Sequence, residues 1–478
     1  MNQTIIFAPI TQREVNFYPL LAQRMAALNS ELNIYFLPFY EPGIKTIEKK
    51  GFKAFNIYKI INNLAPKDFN VRTSDIEEKY GIENLRLLCL HEYATYNIRD
   101  IQTLLEKFKK YIMATEIIFD KIDKKNTFVF QELGGFVAPL SLFLVSKRHH
   151  IPHFFFEPSY FRGRLHFNMD TLQAIFKQND TPHTIHNEVK EYIEGSNEEK
   201  KFIVPFKDRH HYRKSILLKI FRLENIKKIA CKIHIKYIRR QKQEYEHIWN
   251  HCRSYLQMLV NNFLGKRFLS KDLGHISKKF VFFPLHFKFD YAMTVRAPFY
   301  LDQLSLVDFI CKILPDGYDL VVKEHPAGAG GFSASKIKEL KRANSNFNIL
   351  SASFNTYDLI EKSSFIITVN SKVGYEALAL GKEVIVLGDS FYRHWDIVWK
   401  VESLFNLVSI IKKVTLEEKK NDRKEQRLHF FSKLWDSTFK GELYENTEEN
   451  VKALSESLLD AISNVSEKID EKGNYSHL

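Results

Sequence analysis

A two-sheet α/β fold is what this sequence predicts, on three observations. The chain has 478 residues, too many for one hydrophobic core. Short β-rich apolar runs alternate with helical patterns in two separate blocks. Several of these runs stop abruptly at polar residues, as parallel strands do where their carboxyl ends meet a ligand.

In the first block Thr4–Ile10, Leu32–Phe39, Thr127–Gln131 and His153–Glu157 read as strands, with a helical pattern from Ile98 to Phe119 among them. Strand and helix alternate again at Lys279–His286, Asp319–His325, Phe347–Leu350, Ser364–Asn370 and Glu383–Gly388. That second block is about 110 residues, enough for a domain of its own. Between the blocks the character changes. Lys207 to Arg240 holds twelve Lys or Arg against two acids, Asp208 and Glu224. Its apolar residues Ile216, Ile220, Leu223, Ile226, Ala230, Ile233 and Tyr237 fall at steps of three and four, one stripe of a long helix. The stripe suits either a helix packed on the first domain or one lying in an anionic membrane interface. After Val414 the chain is helical and charged, and it turns polar beyond about Val465. The expected organisation is a Rossmann-like domain over 1–280 that includes a basic helical segment at about 200–275. A second Rossmann-like domain follows over 281–412, and then a helical tail over 413–478. Two such domains joined by a long segment suggest, by analogy of fold, the GT-B glycosyltransferase architecture.

Composition narrows the classes. Hydrophobic residues make up 45% and aromatic residues 14%, the balance of a globular protein. The net charge of +13 favours an anionic partner: a charged substrate, an acidic membrane surface or nucleic acid. The sequence has no RNP-type, zinc or helix-turn-helix signature, which ranks nucleic acid last. Four dispersed cysteines with no C-x-x-C pair disfavour a disulfide framework and suit a reducing cytoplasm. The first residues lack the basic start and apolar length of a secretory signal. The longest apolar stretch, Phe136 to Val145, is about half a membrane span. The expectation is a soluble cytoplasmic chain, at most held on the inner face of the membrane.

Four strand ends carry candidate chemistry. Val321-Val322-Lys323-Glu324-His325-Pro326 delivers an imidazole able to donate to a phosphate, with charge from Lys323 nearby. Pro326 ends the strand without adding a competing donor. The run into Asn370-Ser371-Lys372-Val373-Gly374-Tyr375-Glu376 offers Ser371 and a helix N-terminus to a phosphate, and Glu376 to ribose hydroxyls. Phe280 to Phe283 leads to His286 and Asp290, an acid among aromatics suited to act as nucleophile or base. Phe154-Phe155-Phe156-Glu157 ends in an acid followed by Arg162 and Arg164, which could pair with a substrate anion. Gln131-Glu132-Leu133-Gly134-Gly135 is a weaker case of the same kind. Taken singly, each also reads as a cap or a surface pair. No Asp-x-Asp pair or metal-spaced cluster occurs, so neither metal nor other cofactor is expected.

The order of these motifs resembles the bacterial capsule polysaccharide biosynthesis proteins, a family of β-Kdo transferases. In that family an acid loop is followed by a Pro-Leu-Gln-x-x-x-Asp-like strand end, then Lys-x-His-Pro, then Asn-Ser-x-x-Gly-x-Glu-Ala-Leu. Here the matching positions are Glu157 with Arg162, Pro284-Leu285-His286 with Asp290, Lys323 to Pro326, and Asn370 to Leu378. Gly381-Lys382 and Gly388 to Tyr392 complete the set. The resemblance is good from about Phe280 to Tyr392, thin over the first 150 residues and absent from the tail. It implies a GT-B fold, CMP-Kdo as donor and a glycan or glycolipid acceptor. Transfer would proceed with retention through a covalent sugar–enzyme adduct, without a metal. Asp290 would be the nucleophile and Glu157 an acid/base. His325 and Ser371 would meet the CMP phosphate, and Glu376 the ribose. His286 stands where the family has Gln, and Glu157-Pro158 where it has an acidic pair. Two other readings compete: an inverting GT-B enzyme with a UDP-type donor, and a non-catalytic glycan-binding or export scaffold.

Overall fold

The computed structural model describes residues 3–98, 100–174, 176, 185–202, 204–209, 223–243, 247–270, 272–274, 276, 279–417 and 423–472. The first block builds strands β1 (Thr4–Phe7), β2 (Asn33–Phe36), β3 (Lys53–Ala54), β4 (Thr127–Glu132), β5 (His153–Pro158) and β6 (Arg164–Met169). The second builds β7 (Lys279–Pro284), β8 (Tyr318–Lys323), β9 (Phe347–Leu350), β10 (Phe365–Thr368), β11 (Val384–Val386) and β12 (Trp399–Lys400). A last short strand, β13 (Phe439–Lys440), comes from the tail.

The first sheet runs β13-β6-β5-β4-β1-β2-β3 and the second β12-β11-β10-β7-β8-β9. In each, the first strand of the block sits in the middle and the chain winds outward to either side. That order makes a topological switch point, between β1 and β4 in one sheet and between β7 and β10 in the other. Pairing is parallel throughout except at β6, which returns antiparallel on β5 and accepts β13 antiparallel on its far side. Two doubly wound lobes facing each other are the GT-B arrangement.

The strands form where the sequence is apolar on both faces. Ile5, Ile6, Phe7, Val129 and Phe130 in the first sheet are fully buried, as are Val281, Phe282, Val321, Val322 and Ile366 in the second. Parallel strands covered by helices on both sides require this continuous apolarity. The helix Gln12–Leu28 starts at Thr11, whose side chain accepts from the Glu14 amide while Glu14 reaches back to the Thr11 amide. No helix among the described residues is long and apolar enough to cross a membrane.

The tail does more than extend the second lobe. Its helix Lys424–Asp436 buries Phe430, Phe431 and Leu434 against that lobe. The chain then pairs as β13 in the first sheet. Its last helix, Glu448–Lys472, lays Leu454, Leu458 and Ile462 on Val15, Tyr18 and Leu21 of the opening helix. The apolar stripe expected in the basic segment is described from Leu223 onward, and Ile216 and Ile220 lie outside the described residues. Ile226 and Tyr237 of that stripe are exposed rather than packed.

Candidate active site

The carboxyl ends of β7, β8 and β10 converge at the switch point of the second sheet. Beyond β7 the chain reaches Asp290, which caps the short helix Tyr291–Thr294 by accepting from the Ala292 amide at 3.1 Å. Beyond β10, Asn370 donates from Nδ2 to the Ala292 carbonyl at 2.7 Å, locking the two strand ends together. The other amide atom of Asn370, its Oδ1, is buried without a protein partner.

Two histidines stand close to Asp290. His286 is buried, and its amide donates to Gln303 Oε1 at 2.8 Å. Burial holds its pKa down to about 4, and Nε2 meets no protein acceptor. His91 comes across the cleft from the helix Leu90–Tyr96 of the first lobe. Its Nδ1 lies 2.8 Å from Thr294 Oγ1, whose proton is already given to the Asp290 carbonyl at 2.9 Å. His91 must therefore donate from Nδ1, which leaves the lone pair on Nε2. Burial outweighs the nearby Asp290 and lowers its pKa to about 4, so the ring is neutral at neutral pH. Gly135 makes the approach possible: a Cβ there would stand 2.6 Å from the His91 ring and 2.9 Å from Val295 of the other lobe.

At the end of β8, His325 Nδ1 accepts from the Ala327 amide at 3.1 Å. Its Nε2 is then the nitrogen that carries a proton to donate. Glu324 is buried and accepts from the Gly330 amide at 3.0 Å, with its carboxyl raised to about 6 by burial. Lys323 is buried too, donates to Thr356 Oγ1 at 2.7 Å, and is lowered to about 8 by the same cause.

Ser371 caps the helix Lys372–Ala379, as the sequence suggested, by accepting from the Val373 amide at 3.2 Å. The Tyr392 hydroxyl donates to the Ser371 carbonyl at 2.6 Å. Gly374 is fixed by this contact, since a Cβ would lie 2.4 Å from the Tyr392 oxygen. Glu376 is buried, not a surface acid. Burial raises its pKa against the pull of Lys372, 3.7 Å away, and of Lys323.

Glu157 meets a partner that the sequence reading did not single out. Arg296, six residues after Asp290, forms two 2.8 Å bonds to its two carboxylate oxygens, and Asn168 donates a third at 2.5 Å. Burial alone would raise Glu157, but Arg296, His166 and Asn168 outweigh it and hold the group below the usual carboxylate range. The neighbouring arginines go elsewhere. Arg164, expected to meet substrate, donates to the Thr438 hydroxyl and carbonyl and covers the Trp435 ring. It is a strut between β6 and the tail. Arg162 is exposed beside Glu199. Glu132 is committed to Lys207 and Tyr444.

Tyr160 was also missed. It stacks between Tyr375 at 4.6 Å and Phe391 at 4.5 Å, with the Lys372 ammonium 5.6 Å over its ring. A cavity of about 300 Å³ opens beside Arg296, lined also by Tyr300, Leu387, Asp389 and Arg393. The sequence signal for Arg296 was its place in the same loop as Asp290. His91 had none, because a lone histidine on a short helix is indistinguishable from a core residue.

A sequence model for the family described as "Capsule polysaccharide biosynthesis protein" matches residues 145–406, more than half of the chain. The chain belongs to this family. The match takes in Glu157, Asp290, Arg296, His325 and Ser371, and leaves His91 outside. Among curated proteins, Protein FixF of Sinorhizobium fredii (strain NBRC 101917 / NGR234) is 32% identical over 142 residues. That segment is 29% of this chain and 33% of FixF, so the chain spans about a third of the curated relative it matches. Solved structures that resemble this chain include the β-Kdo 2,7 transferase of Thermosulfurimonas dismutans KpsC. It has 14% identity, covers 73% of this chain and 89% of that one, and gives a TM-score of 0.36. The β-Kdo 2,4 transferase of the same KpsC has 13% identity over 64% and 91% of the chains and a TM-score of 0.27. The calicheamicin glycosyltransferase CalG4 has 10% identity over 91% and 95%, with a TM-score of 0.28.

Proposed function

We propose that this chain is a retaining glycosyltransferase that moves Kdo or a related ulosonate from a CMP-sugar to a lipid-linked or surface glycan. The observation that carries the reading is the setting of Asp290. It stands at the switch point of the second sheet, flanked by His286 and by His91 from the other lobe, beside strand ends suited to a phosphate. A binding scaffold has no use for such a convergence of buried polar groups.

In this reading the donor phosphate lies by His325 Nε2–H, the Ser371 end of its helix and Lys372. The ribose lies by Glu376. The Asp290 carboxylate attacks the anomeric carbon, and the bond from that carbon to the phosphate oxygen breaks. The electron pair leaves with CMP, a good leaving group that needs no proton. The acceptor hydroxyl then displaces the aspartyl ester from the opposite face, which restores the carboxylate and gives net retention. His91 takes the hydroxyl proton on Nε2. Glu157 serves as a fixed anion that holds Arg296 rather than as a proton donor, because an ionised carboxylate gripped by arginine has no proton to give. Arg296 and the cavity beside it are placed to receive the anionic sugar. The chemistry needs no metal, so a chelator should leave transfer unchanged. The net charge of +13 fits an anionic acceptor presented at the inner face of the membrane.

Intact-mass spectrometry of the protein with CMP-Kdo tests this. The wild type should gain the mass of one sugar residue, and Asp290→Ala should fold but gain none and turn over nothing. Full turnover by Asp290→Ala would favour the inverting mechanism, and release of UDP instead of CMP from candidate donors would replace the donor.

A further inference from the structure

The basic segment presents a surface that the proposed transfer does not use. The helix Leu223–Ile233, continued by His234–Ile238, runs beside the helix Ile248–Gly265. The two are joined where Trp249 Nε1 donates to the Tyr237 hydroxyl at 3.0 Å. The pair is anchored from beneath. Ile235 is buried in the first lobe, and Asn250 donates to the Tyr96 carbonyl at 2.7 Å. Met258 is buried, and the backbone there packs so closely that a Cβ on Gly330 would stand 2.1 Å from the Met258 carbonyl oxygen.

The outer side is apolar and open to solvent. Ile238 is 70% exposed, Trp249 61%, Leu256 61% and Phe263 77%. Leu256 and Phe263 follow Trp249 at steps of seven, which places the three on one face of their helix. From Leu223 to Phe268 the sequence carries ten Lys or Arg against three acids, Glu224, Glu244 and Glu246. A face of large apolar side chains, with Trp and Tyr at its joint and a net surplus of seven cations in its segment, suits the headgroup boundary of an anionic bilayer. A second copy of the chain fits it poorly, since two such surfaces would set one net positive segment against another.

We propose that this helix pair docks the protein on an anionic lipid bilayer, with Trp249, Leu256 and Phe263 entering the interface and the flanking Lys and Arg meeting lipid phosphates. The proposal extends the acceptor reading above by naming the surface, and it can fail independently of the transfer chemistry. Docking would act near the nucleotide loop as well, because the helix Ile248–Gly265 rests on Gly330, five residues beyond His325.

Co-sedimentation of the full chain with vesicles tests it. Binding is expected to vesicles rich in phosphatidylglycerol, to be absent on phosphatidylcholine alone, and to be reversed by salt. Replacing Lys227, Lys228 and Arg253 by Gln should weaken binding by roughly a hundredfold. The double variant Trp249→Ser, Phe263→Ser should abolish it. All five positions are exposed, so the charge variant should keep the thermal melt of the wild type and both variants its CMP affinity, although Trp249→Ser also gives up the bond to Tyr237. Equal binding to both vesicle types, or none to either, would overturn the proposal. So would a dimer in sedimentation velocity that the Trp249→Ser, Phe263→Ser variant dissociates. Normal vesicle binding without a sugar adduct would leave this surface standing and remove the transfer mechanism instead.

Discussion

Arg296 and Glu157 clasp one another from opposite lobes, through two hydrogen bonds of 2.8 Å between residues 139 positions apart. The guanidinium is 7% exposed and the carboxylate 24%, so the pair lies largely out of water. Removing one partner leaves the other charged and still largely out of water. Arg296→Met is expected to destabilise by about 3 kcal/mol, the lower end for a broken buried pair because Glu157 keeps some solvent. The double variant Arg296→Met, Glu157→Gln should recover more than half of that loss. Urea unfolding of the wild type, Arg296→Met, Glu157→Gln and the double variant gives the coupling, and additive losses would show that the two residues act separately.

His325 is expected to matter to the nucleotide and not to folding. Its Nδ1 is occupied by the Ala327 amide, so what His325→Ala takes from a ligand is one donor at Nε2. A hydrogen bond to a charged phosphate contributes roughly 1.5–3 kcal/mol, or about ten- to a hundredfold in affinity. Calorimetry with CMP reads this, and an unchanged affinity would take His325 out of the site.

Gly374 tests whether the Asn370–Ser371 turn is held by Tyr392. Gly374→Ala pushes a methyl to 2.4 Å from the Tyr392 hydroxyl, and the ring must move or the turn must open. Overpacking of this kind costs about 1–3 kcal/mol. CMP affinity should fall along with the melting temperature. A variant that melts like the wild type would mean that Tyr392 yields freely.

Acid should unfold the protein earlier than its carboxylates alone would dictate. Burial lowers His91, His166 and His286 to about 4 and His153 to about 3. A depressed pKa means the unfolded chain takes up the proton first. The stability from these four is complete above about pH 6.5 and drains away as pH falls toward 4. His153 isolates the effect. It is wholly buried between Phe143 and Phe155, and both ring nitrogens lack partners. His153→Phe should stabilise at neutral pH by about 1–2 kcal/mol and flatten the decline between pH 6.5 and 5. Chemical denaturation at stepped pH values measures both, and a destabilised variant would argue against the reading.

The sequence made the strands legible because parallel strands buried on both faces are written as continuous apolar runs. Phe347–Leu350 ends where the pattern placed it, Thr127–Glu132 and His153–Pro158 run one residue further than expected, Tyr318–Lys323 starts one residue early, and the other expected strands lie inside their limits. Strand ends were legible for the same reason, since an apolar run that breaks at Asn370 or His325 marks the rim of a sheet. What stayed hidden depends on pairing across long separations. Nothing near Glu157 announces Arg296, and the closer Arg164 was the more natural partner until β13 claimed it. His91 is invisible for the same reason. β13 itself has two residues and no periodicity, and it exists because the edge of β6 lay open to it. Whether the stripe of the basic segment faces the first domain or a membrane stays open in the sequence, because periodicity reports that a helix has an apolar side and not where that side points.

The tail reaches the second lobe at Phe430 and the first at Leu454, after earlier segments have already passed between them. Lobes strung together by several strands of chain behave like a book with a sewn spine. Pulling them apart or sliding one past the other would break those crossings, whereas a swing about the seam would keep them. The bond between His91 and Thr294 and the clasp between Glu157 and Arg296 are the fastenings on the open edge. A donor would enter when they part and be sealed in when they close. Cutting the chain after Asp436 would unpick one thread of the spine, and the pages would lose their alignment before either lobe lost its fold.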